Sequence, residues 1–132
     1  MFYGAFDGAA MGNPGPGGAG ALIEGPGGEV LAEISKPLGL VTNNEAEYLA
    51  LIYLLEQAIK LNIKSMRIQG DSQLVVNQVN GSWRVKQAHL FRLYGRVREL
   101  LEQIPKWSLV WVPRELNEAA NKLSQKAAVG FV

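Results

Sequence analysis

The segment Leu49-Ala-Leu-Ile-Tyr-Leu-Leu55 is apolar on almost every side of a helix, and no other feature constrains this chain as strongly. A helix without a broad polar face has to be buried on most sides, so other elements must enclose it. Thr42-Asn-Asn-Glu45 just upstream matches a capping box, which predicts the helix over about 43–61.

The partners of that helix follow from the flanking patterns. Phe2–Phe6 reads as a strand ending at Asp7, and Gly12-Asn-Pro-Gly-Pro-Gly-Gly18 as a loop. Ala19–Glu24 and Glu29–Ile34 read as strands around the turn Gly25-Pro-Gly-Gly28, which makes a three-stranded antiparallel meander. After the long helix, Ser65–Gly70 alternates as a strand into Asp71, followed by helices over about 72–80 and 87–103. Trp107–Val112 is a last strand, with Trp107 and Trp111 expected in the core. A last helix over 117–129 carries the stripe Leu116, Ala119, Ala120, Leu123 and Ala127. The order β-β-β-α-β-α-α-β-α implies an α/β fold, a mixed sheet with helices on both faces.

At 132 residues, 48% hydrophobic and 19% charged, the chain is expected to form one compact domain over 1–132. It contains no cysteine, which excludes disulfides and a Cys-based zinc site. Without a membrane-length apolar run or a charged N-terminal leader, a cytoplasmic monomer away from membranes is the expectation. The net charge of +1 does not announce a nucleic-acid binder. Arg84, Lys86, Arg92, Arg96 and Arg98 are nevertheless concentrated in one stretch, either a phosphate-contacting surface or a solvated helix face.

Three acidic residues sit where a purely structural design would avoid them. Asp7 and Asp71 each end a strand, where α/β sheets border ligand crevices. Glu47 shares a helical stripe with Ala50, Leu51 and Leu54 and so faces inward. Glu45 points about 200° away, toward the side of an expected Glu56–Lys60 pair. Burying an unpaired carboxylate costs several kcal/mol, so Glu47 requires a cation or a hydrogen-bond network. Structural alternatives stand beside this reading: Asp71 as a helix cap, Asp7 as a turn residue, and Glu47 as a partner of Arg67. Convergence of all three without a basic partner would call for a hard divalent cation.

Over almost its full length the chain resembles ribonuclease H type 1. The resemblance is carried by Phe6-Asp-Gly-Ala-Ala, Gly12-Asn-Pro-Gly-Pro-Gly-Gly18, Thr42-Asn-Asn-Glu-Ala-Glu47 and Gly70-Asp-Ser-Gln73, in the family's order. It implies a five-stranded mixed sheet, with three antiparallel strands followed by parallel additions. It also implies hydrolysis of the RNA strand of RNA–DNA hybrids to 5′-phosphate and 3′-hydroxyl ends. Asp7, Glu47 and Asp71 would bind two Mg²⁺ ions, with Mn²⁺ as an alternative.

Two departures from the family pattern stand out. The family's final helix reads Asn-x-x-Ala-Asp, and here Asn117-Glu-Ala-Ala-Asn121 puts an amide at the fourth carboxylate position. Asn121 offers an oxygen without a charge, so turnover should fall while hybrid binding survives, which leaves a catalytically inactive binding module as the alternative. The catalytic histidine loop is also missing: His89 falls in the 87–103 helix, and Arg114 occupies the loop that helps product or metal release in some members. Arginine stays protonated and cannot shuttle protons, so a phosphate or salt-bridge contact is its other reading.

The resemblance also implies how the hybrid is held. Gly8, Ala9 and Ala10 would let a sugar approach closely, Asn13, Asn44 and Gln73 would face the minor groove, and Thr42 with Asn13 would meet DNA phosphates. Asn13 as a turn residue and Thr42 as a helix cap are compatible with those roles. Trp83, Arg84 and Lys86 would line a DNA-strand channel. The large basic protrusion of many bacterial members is absent, because Gly81–Lys86 leads almost directly into the next helix.

Overall fold

Period-two and period-3.6 patterns alternate along the chain and resolve into five strands and four helices in a computed structural model that describes residues 1–130. The strands are β1 (Phe2–Ala10), β2 (Gly15–Glu24), β3 (Val30–Val41), β4 (Ser65–Gly70) and β5 (Lys106–Trp111). The helices are α1 (Asn43–Lys60), α2 (Gln73–Val79), α3 (Ala88–Leu101) and α4 (Glu118–Val129), with a 3₁₀ turn at Arg114–Leu116. Residues 131–132 of the expected domain lie outside the described residues.

The sheet order is β3-β2-β1-β4-β5, antiparallel across β3, β2 and β1 and parallel across β1, β4 and β5, the division that the family resemblance implies. Helices α1 and α4 pack on opposite faces of β1 and β2, and α3 packs on α1. The core joins Phe6, Ile23, Tyr48, Leu51, Leu54, Leu55, Met66 and Ile68 across the sheet and α1. Among the described residues no helix is long and apolar enough to cross a membrane.

Several expectations need correction, each for a packing reason. β1 runs on through Asp7 to Ala10, with Asp7 paired to Gly20. Asp7 is therefore neither a strand end nor a turn residue. β2 begins at Gly15, within the stretch read as a loop. Its glycines are demanded by tertiary contact: a Cβ on Gly18 would collide with the Ser124 carbonyl, and one on Gly20 with the Ala120 carbonyl. β3 extends to Val41 through Pro37, which an outer strand tolerates because an outward N–H is dispensable there.

Further differences concern single residues. Helix α4 buries Ala120, Ser124, Ala127 and Ala128, whereas Ala119 and Leu116 are exposed. Trp107 packs against the core, but Trp111 is 43% exposed and donates its indole N–H to the Asp71 carbonyl. Glu56 pairs with Arg96 of α3 at 3.3 Å instead of with Lys60.

Candidate active site

The site forms where β1, β4, α1 and α4 come together. The capping box closes as the sequence requires: Thr42 Oγ1 accepts from the Glu45 N–H at 3.2 Å, and Glu45 Oε1 accepts from the Thr42 N–H at 2.8 Å. That fixes the first turn of α1 and so the direction of Glu47, two residues further on. Glycine at position 8 lets α1 lie against β1, since a Cβ there would strike the Ala46 backbone. The Gly8 N–H then donates to Glu47 Oε1 at 2.8 Å.

Asp7 alternates to the other sheet face, toward α4. It is 3% exposed, and its Oδ2 accepts from Ser124 Oγ at 2.5 Å and from Asn121 Nδ2 at 3.1 Å. Asp71 follows the last residue of β4. The cap of α2 is Ser72, whose Oγ accepts from the Val75 N–H at 3.2 Å, so the Asp71 side chain is not used as a cap. One carboxylate oxygen from each of Asp7, Glu47 and Asp71 lies within 4.8 Å of the others.

No described lysine or arginine forms an ion pair with any of the three. Arg67 lies in a different hollow, with Tyr3, Glu24 and Leu116, which removes it as a partner of Glu47. Burial and the neighbouring Asp71 charge raise Asp7 from 3.8 to about 7, against the lowering effect of its bonds from Ser124 and Asn121. Burial and the Asp7 charge push Glu47 well above the usual carboxylate range, opposed by its bond from Gly8 and by the Arg114 charge. Carboxylate oxygens crowded together with no ion pair to any of them suit a hard divalent cation.

A cleft of about 650 Å³ collects Asp7, Gly8, Ala9, Ala10, Glu47, Asp71, Arg114 and Asn121 from the sequence-predicted set. Asn44, Trp83, Arg84 and Lys86 line a separate groove of about 520 Å³, where Gln78 also contributes. Three predicted residues line neither. Asn13 Oδ1 accepts from the Asn43 N–H at 2.9 Å, Thr42 is the helix cap, and Gln73 is exposed in the first turn of α2. His89 is exposed on α3. Asn121, read as a cation ligand through its oxygen, instead directs its NH₂ group at Asp7.

Two residues with evident roles are not among the site residues expected from the sequence. Ser124, a serine in mid-helix, is fully buried against Asp7. Asn117 is also buried and ties the start of α4 to β1, donating to the Phe6 carbonyl at 2.9 Å while its Oδ1 accepts from Gln69 at 3.3 Å. The Asn-x-x-Ala motif could have flagged Asn117.

The family model described as Reverse transcriptase-like matches residues 5–127. Over 123 residues the chain is 45% identical to a curated ribonuclease HI of Halobacterium salinarum, covering 92% of this chain and 61% of that protein. It spans as little as 34% of other curated relatives. A solved RNase H1 from Halobacterium salinarum NRC-1 superposes with a TM-score of 0.94 at 40% identity, covering 98% of both chains. LC11-RNase H1, isolated from compost and solved in complex with an RNA/DNA hybrid, superposes at 0.93 and 34% identity, covering 99% of each chain.

Proposed function

The chain belongs to the ribonuclease H family, and from that premise we propose that it is a metal-dependent endonuclease acting on the RNA strand of RNA–DNA hybrids. The observation that carries this reading is the meeting of Asp7, Glu47 and Asp71 within 4.8 Å, with none of them in an ion pair among the described residues, in an open cleft. Mg²⁺ is the expected cation, with Mn²⁺ able to replace it. A divalent cation held there would supply positive charge against the phosphate oxygens and acidify the attacking water.

The chain's own residues supply the rest. Asp7, Glu47 and Asp71 would hold the cation, and the small surface of Gly8, Ala9 and Ala10 admits a ribose whose 2′-hydroxyl distinguishes RNA. Arg114 sets a fixed positive charge at the rim of the cleft, where it attracts the scissile phosphate. The groove of Asn44, Trp83, Arg84 and Lys86 takes the DNA strand, with an aromatic face for a sugar or base and two cations for phosphates. Water adds to phosphorus as the bond to the 3′ oxygen breaks, leaving a 5′-phosphate and a 3′-hydroxyl.

A second reading, a hybrid-binding module with little turnover, is favoured by one observation: Asn121 presents N–H, not oxygen, to Asp7. Cleavage of a labelled hybrid with Mg²⁺ or Mn²⁺ separates the two. Metal-dependent cutting that is lost in Glu47→Gln, with the melting temperature unchanged, is the expected outcome. If Glu47→Gln loses thermal stability in step with activity, Glu47 is structural and the reading fails.

A further inference from the structure

The hydrogen bonds inside the site limit how many cations it can take. Each carboxylate oxygen has two lone-pair sites. On Asp7 Oδ2 both are in use, one by Ser124 Oγ at 2.5 Å and one by Asn121 Nδ2 at 3.1 Å. Ser124 is fully buried in α4, and of the two acceptors within reach of its single hydroxyl hydrogen, Asp7 Oδ2 at 2.5 Å is nearer than the Asn121 carbonyl at 2.8 Å. Glu47 Oε1 is partly engaged as well, by the Gly8 N–H.

What remains is Asp7 Oδ1, Glu47 Oε2 and the carboxylate of Asp71. No buried side-chain oxygen among the described residues lacks a partner, so Oδ1 of the buried Asp7 must open to the cleft. Those oxygens can serve one hard cation, completed by water. A pair of cations about 3.5–4 Å apart needs anionic oxygens around both. On the α4 side of Asp7 a second ion would instead meet the hydrogens of an amide and a hydroxyl.

We propose that Ser124 is a positioning residue which, with Asn121, closes Asp7 Oδ2 to a second divalent cation. The proposal rests on the reading of this cleft as a metal site. Mn²⁺ is the probe, counted at fixed pH by calorimetric titration and by the electron paramagnetic resonance signal of the unbound ion. The chains compared are the wild type, Asn121→Asp, and Ser124→Ala/Asn121→Asp. If that double variant fails to fold, Ser124→Cys/Asn121→Asp replaces it, since a thiol is a weak donor.

One ion is expected on the wild type and two on the double variant. The second ion should bind the double variant at least 5-fold more tightly than it binds Asn121→Asp alone. Two ions on the wild type, one on the double variant, or equal second-ion affinity in the two variants overturns the role given to Ser124. No Mn²⁺ on any of the chains overturns the metal-site reading itself.

Discussion

At the scale of single residues, the site is a set of acids held in a place that disfavours their charge. Asp7 is raised from 3.8 to about 7, so between those values the unfolded chain is ionised while the folded chain keeps its proton. Folding stability therefore falls as pH rises through that window and levels off above it. For the metal-free protein we expect the melting temperature to drop by about 5–10 °C between pH 5 and pH 8, followed by circular dichroism. Asp7→Asn should remove at least half of that drop, and Mg²⁺ should reverse it at pH 8. An identical pH profile in Asp7→Asn would assign the effect elsewhere. Asn121→Asp adds a fourth acid next to Asp7 and should lower the metal-free melting temperature. With Mg²⁺ the same change should raise hybrid cleavage at least about 10-fold, as a new transition-state contact worth about 1.4 kcal/mol would. Unchanged or lower cleavage would remove Asn121 from the machinery. Helical periodicity alone made Glu47 legible, because a glutamate in an apolar stripe is an anomaly. Ser124 was illegible: a mid-helix serine is unremarkable until its partner, distant in sequence, is known.

At the scale of elements, two helices approach the sheet closely only because it lacks side chains where they touch. Gly20→Ala would drive a methyl group into the Ala120 carbonyl and should cost about 1–3 kcal/mol, seen as a melting temperature lower by about 5–10 °C. Gly95 makes the opposite case, within α3 with open space where a Cβ would sit. Gly95→Ala should stabilise by about 0.5–1 kcal/mol through backbone entropy alone. If both substitutions shift the melting temperature in the same direction, close packing is not what β2 needs its glycines for. This contrast explains the main misreading of the sequence. Local rules treat Gly15–Gly18 as a break, yet a Cβ would strike the Met11 carbonyl at Gly15, the Val41 side chain at Gly17 and helix α4 at Gly18, so it is these contacts that make glycine the residue a strand needs there. The capping box of α1 was legible because its two bonds are local, three residues apart.

At the scale of the whole molecule, a net charge of +1 conceals two unlike regions, the carboxylate cleft and the groove bearing Arg84 and Lys86. If that groove takes the DNA strand, Arg84→Ala/Lys86→Ala should weaken hybrid binding for every sequence and flatten its log–log salt dependence by about 2. Fluorescence anisotropy between 50 and 200 mM salt, on the order of one decade in affinity per few contacts, reads that slope directly. A slope unchanged by the double substitution would move the DNA strand to another surface. The order of strands and helices was readable because it follows from hydrophobic periodicity, whereas the division of polar residues between cleft and groove depends on how α1 crosses the sheet. The two rims of that sheet have a consequence for the protein in bulk. β3 is interrupted by Pro37 and two irregularities of register, and β5 is only six residues long and begins with a lysine. Neither rim offers a long straight template to a neighbouring molecule, so concentrated solutions should resist the strand-by-strand stacking that seeds fibrils.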